Sequence, residues 1–298
     1  MYKRQHHTRE DEYDDKQIKE YCTKYYTDNV RNYLGNSDWT PKLLNRTGRM
    51  FVNDAASVPK PIEDKLLNQY RIVKGMLNKF DWSVSAGYMD AELKPDFEER
   101  ELVKTIKKKL HKGLRPAKQY MEEHCKDNLV IIAPTGSGKT EAALLWINGE
   151  KGFYTLPLKV SSNAIYKRIK SVYSYENVAL LHSDSMKGYL EEAAETTGED
   201  GYEKYEKAKL LSAPLTVSTV DQLFKFVYKA LGTEIFVATL KYSKLVLDEI
   251  QAYSPRIVAT LLYGLKTICQ MGGHFAIITA TFPPVLKDLA MSQQTVDK

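Results

Sequence analysis

From Leu129 onward, short apolar runs alternate with longer stretches of helical spacing, the pattern of a parallel sheet covered by helices. Six runs predict strands: Leu129-Ala133, Gly152-Leu156, Val178-His182, Leu215-Ser218, Leu245-Asp248 and His274-Thr279. Each pair is separated by enough chain for a crossover helix, which parallel pairing requires. Val160, Ala164, Ile165, Arg168, Ile169 and Val172 form a stripe at helical spacing, and its apolar members predict the buried face of the second crossover helix. Pro255 is placed to open a helix that runs through Met271, and Gly272 and Gly273 end it.

Residues before about Asp96 lack this alternation and are rich in tyrosine and charge, with helical character over Ile18-Leu34 and Leu66-Trp82. They read as a separate unit, so residues 1–95 and 96–298 are expected to be distinct domains. Phe97-Cys125 reads as a helical lead-in whose cationic cluster, Lys104, Lys107, Lys108, Lys109, Lys112 and Arg115, is taken as a solvated helix face rather than a nucleic-acid patch.

Composition narrows the classes without choosing a function. The 298 residues suffice for one large or two ordinary domains, and 43% hydrophobic with 27% charged residues is the balance of a soluble globular protein. No apolar run approaches the roughly 20 residues of a membrane span, and Met1-Asp15 is charged throughout, unlike a signal peptide. A cytoplasmic location without membrane contact is therefore expected. The three cysteines, Cys22, Cys125 and Cys269, lie far apart with no CxxC pair, which argues for reduced, structural thiols. A net charge of +5 is compatible with a polyanionic partner but does not argue for one unaided.

The chemistry begins after the first predicted strand. Ala133-Pro134-Thr135-Gly136-Ser137-Gly138-Lys139-Thr140 joins that strand to a predicted helix, the context of a phosphate-binding loop. Its glycines let the backbone curl so that N–H groups face phosphate oxygens, aided by the positive end of the helix. Thr135 to Thr140 are the candidate nucleotide contacts, with Lys139 reaching the β- and γ-phosphates of ATP and the Thr140 hydroxyl ligating Mg²⁺. Leu245-Val246-Leu247-Asp248-Glu249 sets two carboxylates at a strand end, where open α/β sheets bind ligands. There Asp248 would hold Mg²⁺ and Glu249 would orient or deprotonate the attacking water. Thr279-Ala280-Thr281 closes the last strand, where the hydroxyls of Thr279 and Thr281 could sense the γ-phosphate.

Two further segments suggest a polymer track. Thr155-Leu156-Pro157 ends the second strand, and Ser218-Thr219-Val220-Asp221 joins a strand to a helix N-terminus that offers N–H groups to a phosphate. Thr155, Pro157, Ser218 and Thr219 are the candidate nucleic-acid contacts, while Asp221 could instead simply cap the helix. Gln119, ahead of the loop, could read adenine. His182 at a strand end is read as structural.

Together these segments resemble the helicase portion of the CRISPR-associated helicase-nucleases of type I interference. The likeness rests on APTGSGKTEAAL (133–144), FYTLPLKVSSNAIYKR (153–168), LLHSDS (180–185), VSTVDQL (217–223), LDEIQAYSP (247–255) and ITATFP (278–283), in that order, and covers about Leu114 to Pro284. Ala133, where the simplest loop has Gly, matches the helicase version, and Gln251-Ala252-Tyr253 separates the chain from the Asp-Glu-Ala-Asp group. The resemblance implies an α/β, RecA-like P-loop domain, ATP and Mg²⁺ as cofactors, single-stranded DNA as track and a CRISPR surveillance complex as partner. A general DExH helicase, a restriction translocase fragment and a nucleotide- or partner-binding module without turnover are the other readings.

The same family carries an HD nuclease domain, and residues 1–95 resemble its closing part and linker. Phe80-Asp81-Trp82-Ser83-Val84-Ser85-Ala86 is similar to the segment that holds that domain's last ligand for a divalent transition metal, which points to Asp81. His6-His7 either matches the adjacent histidine pair or is two solvated histidines. The sequence contains no His-Asp dipeptide, so a metal centre built on one is not expected to be complete. The resemblance also implies a second RecA-like domain with an arginine worth about 10³ to 10⁵ in rate, and both are expected to be missing after Thr281. The chain is therefore expected to be a fragment, or one piece of a split protein, poorly active without that domain supplied in cis or in trans.

Overall fold

A computed structural model of the chain describes residues 60–282 except 97, 111–112, 196–199 and 229–231. The chain divides into two compact units, Met1–Leu67 and Asn68–Lys298. All of the sheet belongs to the second unit, whereas Ile18-Leu34, His6-His7 and Cys22 lie outside the described residues.

The elements in chain order are α1 (Lys60–Ser85), α2 (Glu101–Lys109), α3 (Pro116–Glu123), β1 (Leu129–Ile132), α4 (Lys139–Ile147), β2 (Gly152–Leu156), α5 (Lys159–Tyr173) and β3 (Val178–Leu181). There follow α6 (Ser185–Glu195), α7 (Gly201–Lys209), β4 (Leu215–Thr219), the single turn α8 (Val220–Leu223), α9 (Glu234–Leu240), β5 (Lys244–Asp248), α10 (Pro255–Gln270) and β6 (His274–Thr279). All six predicted strands form, and they pair in parallel in the order β1-β6-β5-β2-β4-β3.

Helices cover both faces of this sheet, and the two-residue period of the strands sorts side chains between them. Tyr154, Val217, Val246, Ala276 and Ile278 enter one core with α2 through α5. Phe153, Leu245, Leu247 and Ile277 enter the other, against α9 and α10. Burial on both faces is why β2, β3 and β5 read as mainly apolar runs, while β4 buries three hydroxyl side chains among its five residues.

The helices depart from expectation in two places. The lead-in is two helices: Asp96 accepts from the Glu101 and Leu102 amides at 2.9 Å to open α2, and Pro116 begins α3. Its cations pair locally, Lys107 with Glu122 and Lys104 with Glu99 at 3.6 Å, while Leu102, Val103 and Ile106 carry the burial. In α5 the buried residues are Ser162, Tyr166, Ile169 and Tyr173, whereas Val160, Ala164, Arg168 and Val172 face outward. The predicted stripe is thus rotated. Tyrosines bury rings and keep their hydroxyls bonded, as Tyr166 does to Glu192 at 3.1 Å, so they outcompete two small valines for the core.

The boundary between units also differs from the expected one near residue 96, because residues 68–95 pack into the sheet unit. Gly75 lets α1 approach the backbone of α9 so closely that a Cβ would overlap the Glu234 carbonyl. Lys79 is fully buried: its ammonium pairs with Glu92 and donates to the Leu211 carbonyl at 3.1 Å and to Tyr242 Oη at 3.3 Å. Lys151 of the β2 approach shares Glu92 at 2.5 Å and donates to the Leu211 and Ala213 carbonyls at 2.6 and 2.9 Å. Two ammonium groups thus share one carboxylate.

Burial, with the Lys151 charge beside it, pulls Lys79 down to about 8. An unfolded lysine titrates near 10.4, so the unfolded chain holds more protons between about 8 and about 10.4, and stability should rise with pH across that window. Urea unfolding at a series of pH values should show the wild type gaining stability relative to Lys79→Met over this range; parallel profiles would mean that Lys79 is not the titrating group.

Candidate functional site

Parallel pairing sets the C-terminal ends of β1, β6 and β5 side by side. Ile132 lies opposite Thr279, and Asp248 opposite Ile278. Two hydrogen bonds continue the ladder into the loops, Ala133 N–H to the Thr279 carbonyl at 3.0 Å and Glu249 N–H to the Ile278 carbonyl at 2.9 Å. The three segments of candidate chemistry therefore emerge from one edge.

The loop after β1 curls through Gly136 and Gly138, at φ 79° and 86°, where a Cβ costs roughly 1–2 kcal/mol. Arg115 Nη1 donates to the Gly136 carbonyl at 3.1 Å, and the Lys118 side chain lies against the Gly138 Cα, leaving no room for a Cβ. Lys139 and Thr140 then begin α4, with Thr140 buried. Ser137 Oγ is buried without a hydrogen-bond partner.

Lys139 Nζ pairs with Glu249 Oε1, joining residues 110 apart in sequence. Glu249 Oε2 accepts from Gln251, Gln251 Oε1 accepts from Thr279 Oγ1, and Thr279 Oγ1 also approaches the Thr281 carbonyl at 2.6 Å. One chain of contacts so runs from the phosphate loop to Thr281. Burial pushes the Glu249 carboxyl up, but the bonds from Lys139 and Gln251 outweigh it and hold the group low. Glu249 sits at φ 56°, a left-handed backbone that strains a residue with a Cβ.

Asp248 is buried. Tyr154 Oη donates to its Oδ2 at 2.6 Å, while Oδ1 has no hydrogen-bond partner. Burial, with the Glu249 charge, raises its carboxyl above the usual range despite the Tyr154 bond. The Tyr154 hydroxyl also interacts with Thr140. An orphaned carboxylate oxygen and a threonine hydroxyl flanking one tyrosine are hard oxygen donors, the type that Mg²⁺ takes.

Other sequence-predicted residues are placed differently. Thr155 is fully buried and its hydroxyl donates to the Val246 carbonyl at 2.7 Å, so it is used inside the sheet and does not face a track. Ser218 and Thr219 are buried too, and the helix they precede is one turn long; only Pro157 of that set reaches the surface in part. Asp221 accepts from Gln222 and does not cap the turn. Gln119 is exposed and donates to Glu123 at 2.9 Å. His182 is buried, its ring nitrogens bonded to Asn163 Oδ1 at 2.9 Å and the Asp184 amide at 3.1 Å, and burial lowers its affinity for a proton. Asp81 lies on an exposed face of α1, and among the described residues no three His, Cys, Asp or Glu side chains cluster as a metal site.

Sequence reasoning missed Tyr154, Arg115, Lys118 and the bridging role of Gln251. Tyr154 and Gln251 both stood in segments that carry the resemblance, without an assigned contact.

A glycine-built loop between a first strand and a helix, facing an acidic strand end two places along a parallel sheet, defines a P-loop nucleotide-binding domain. The profile of the DEAD/DEAH box helicase family matches residues 115–289, and the chain belongs to that family. It is 30% identical over 233 residues to the CRISPR-associated nuclease/helicase Cas3 of Methanothermobacter thermautotrophicus, a match covering 76% of this chain and 28% of the relative. It is 27% identical over 177 residues to the CRISPR-associated endonuclease/helicase Cas3 of Escherichia coli, covering 52% of this chain and 20% of the relative. The crystal structure of T. fusca Cas3 shares the fold, with a TM-score of 0.52 at 22% identity over 63% of this chain and 23% of that one. The chain thus matches less than a third of the length of these relatives.

Tyr154→Phe would remove the side-chain donor of the buried Asp248 carboxylate. Hydrogen bonds to charged groups contribute about 1.5–3 kcal/mol, and denaturant unfolding without nucleotide should show a loss of that size. Unchanged stability would show that the Tyr154 hydroxyl does not hold Asp248.

Proposed function

We propose that this chain is the ATP-binding unit of an ATP-driven motor, the helicase part of a CRISPR-associated helicase-nuclease that translocates on single-stranded DNA. The observation that carries the reading is the Lys139–Glu249 contact, which closes the phosphate loop onto the acidic strand end. A lysine poised at a glycine-built loop has an obvious second anion to bind. In this reading ATP phosphates draw Lys139 away from Glu249, loop N–H groups from Thr135 to Thr140 bind phosphate oxygens, and the freed Glu249 carboxylate accepts a hydrogen bond from the attacking water. Mg²⁺, held by Thr140 and Asp248, would neutralise charge on the phosphoryl oxygens. Release of Glu249 alters its bond to Gln251, and so the state of the site passes to Thr279 and Thr281.

Gln119 would read adenine after giving up Glu123. On the DNA side, Pro157 and the exposed start of α5 are better placed than Thr155, Ser218 or Thr219. Recruitment by a CRISPR surveillance complex is supported by the CRISPR-associated relatives. Completion of the ATP site by a second RecA-like domain is supported by the family. A cytoplasmic setting is in keeping with the described helices, none of which is long and apolar enough to cross a membrane. Residues 1–95 would derive from the end of an HD-type nuclease domain and its linker, with Asp81 the residual ligand for a divalent transition metal; the part from Asn68 on is built into the motor unit. Residues 96–298 would form the first RecA-like domain.

Isothermal titration tests the core of this reading. Lys139→Ala should abolish Mg²⁺-ATP binding, whereas Glu249→Gln should bind at least as tightly as wild type, because Lys139 no longer has to leave a carboxylate. With the second RecA-like domain supplied, Glu249→Gln should lose turnover by about 10²–10⁴. Equal ATP affinity in Lys139→Ala would remove the loop from the mechanism.

A further inference from the structure

Helix α4 is buried on all sides, yet its third residue is charged. Glu141 follows Thr140 directly, and every other side chain from Ala142 to Ile147 is apolar. A buried carboxylate is costly unless it is paired and hydrogen-bonded, and an apolar residue of similar volume would pack there at no such penalty. The pairing comes from three side chains on two helices. Arg168 Nη2 contacts Glu141 Oε1 from α5, Tyr173 Oη donates to the same oxygen at 2.7 Å, and Lys118 Nζ of α3 stands 3.9 Å from Oε2. Burial pushes the carboxyl up, but the Tyr173 bond, its own backbone, Arg168 and Lys118 hold it low and charged.

The geometry gives these partners unequal grips. Arg168 is in contact and reaches in from a side chain 43% exposed, whereas Lys118 is a loose partner whose ammonium also lies against Gly138 of the phosphate loop. A phosphate in that loop is a competing anion for Lys118. Helix α5 begins two residues after Pro157, and its exposed face carries Val160, Ala164 and Arg168.

We propose that Glu141 is a positioning residue that reports occupancy of the phosphate loop to α5: phosphate draws Lys118 off, and the whole charge of Glu141 then falls to Arg168 and Tyr173, tightening α5 where it adjoins the proposed DNA track. Neither Glu141 nor Arg168 touches nucleotide in this scheme. It rests on the nucleotide-binding reading above and adds a route by which binding is felt about one helix away.

Amide hydrogen exchange of the full chain, with and without Mg²⁺ and a non-hydrolysable ATP analogue, tests it. In wild type the analogue should slow exchange over residues 163–173 by about threefold or more, the response of a locally stabilised segment. Glu141→Gln and Arg168→Met should still bind the analogue by calorimetry but lose this slowing. Lys118→Met should show slow exchange in α5 before any analogue is added, an effect that a merely structural lysine would not produce. Analogue binding by wild type without a change in α5, or slowing retained in both Glu141→Gln and Arg168→Met, would overturn the inference alone. Failure of wild type to bind the analogue would overturn it together with the nucleotide-binding reading.

Discussion

Parallel pairing of β5, β6 and β1 is the constraint on which everything else in the candidate site stands. With Asp248 opposite Ile278 and Ile132 opposite Thr279, a residue that ends one strand is set within side-chain reach of the loops that leave the next two. A register slip by one residue would turn Asp248 away from Tyr154 into the core that now receives Leu245 and Leu247, and send Leu247 toward the other helical layer. The cost of such a slip is the burial of Leu245, Leu247 and Ile277 against α10, so the apolar packing of one face fixes the polar geometry at the strand ends.

The charges held by this frame find their partners within it, Asp248 through one of its two oxygens. Lys139 is paired with Glu249, Asp248 is bonded by Tyr154, Glu141 is held by side chains of α3 and α5, and Lys79 and Lys151 divide Glu92. Buried ions rarely stabilise a fold more than apolar residues would, but removing one partner is strongly destabilising. Their arrangement differs with position in a way that suits the proposed role. Lys79 itself is fully buried and bonded to a backbone carbonyl, whereas at the strand ends Lys139 is partly exposed and its partner Glu249 is strained at its backbone and is a carboxylate that a phosphate can replace on that lysine.

The strands were legible in the sequence because burial on both faces leaves an unbroken apolar run that few other structures produce. The phosphate loop and the acidic strand end were legible for a different reason: their residue types answer to chemistry rather than packing. Helix faces were less so. In α5 the sequence offered valines at Val160 and Val172, and the fold buried Tyr166 and Tyr173, whose amphipathic rings a hydrophobic-or-polar reading undervalues. The position of residues 68–95 was hidden because its cause is a buried Lys79 finding the Leu211 carbonyl and the Tyr242 hydroxyl more than a hundred residues away. Thr155 and Ser218 looked like surface hydroxyls at strand ends and are in fact inside the sheet, a difference set by how far each strand extends before it leaves its neighbours. Tyr154 could not be singled out, since only the register between β2 and β5 brings its hydroxyl to Asp248.

The central claim is that the site is closed by its own ion pair, which nucleotide replaces. A crystal structure of the chain with Mg²⁺ and a non-hydrolysable ATP analogue tests it most directly. The account predicts the γ-phosphate within hydrogen-bond reach of Lys139 Nζ, and Glu249 released from that lysine toward the space where water would attack. An analogue seated in the loop with Lys139 still paired to Glu249, or bound away from the loop altogether, would contradict it.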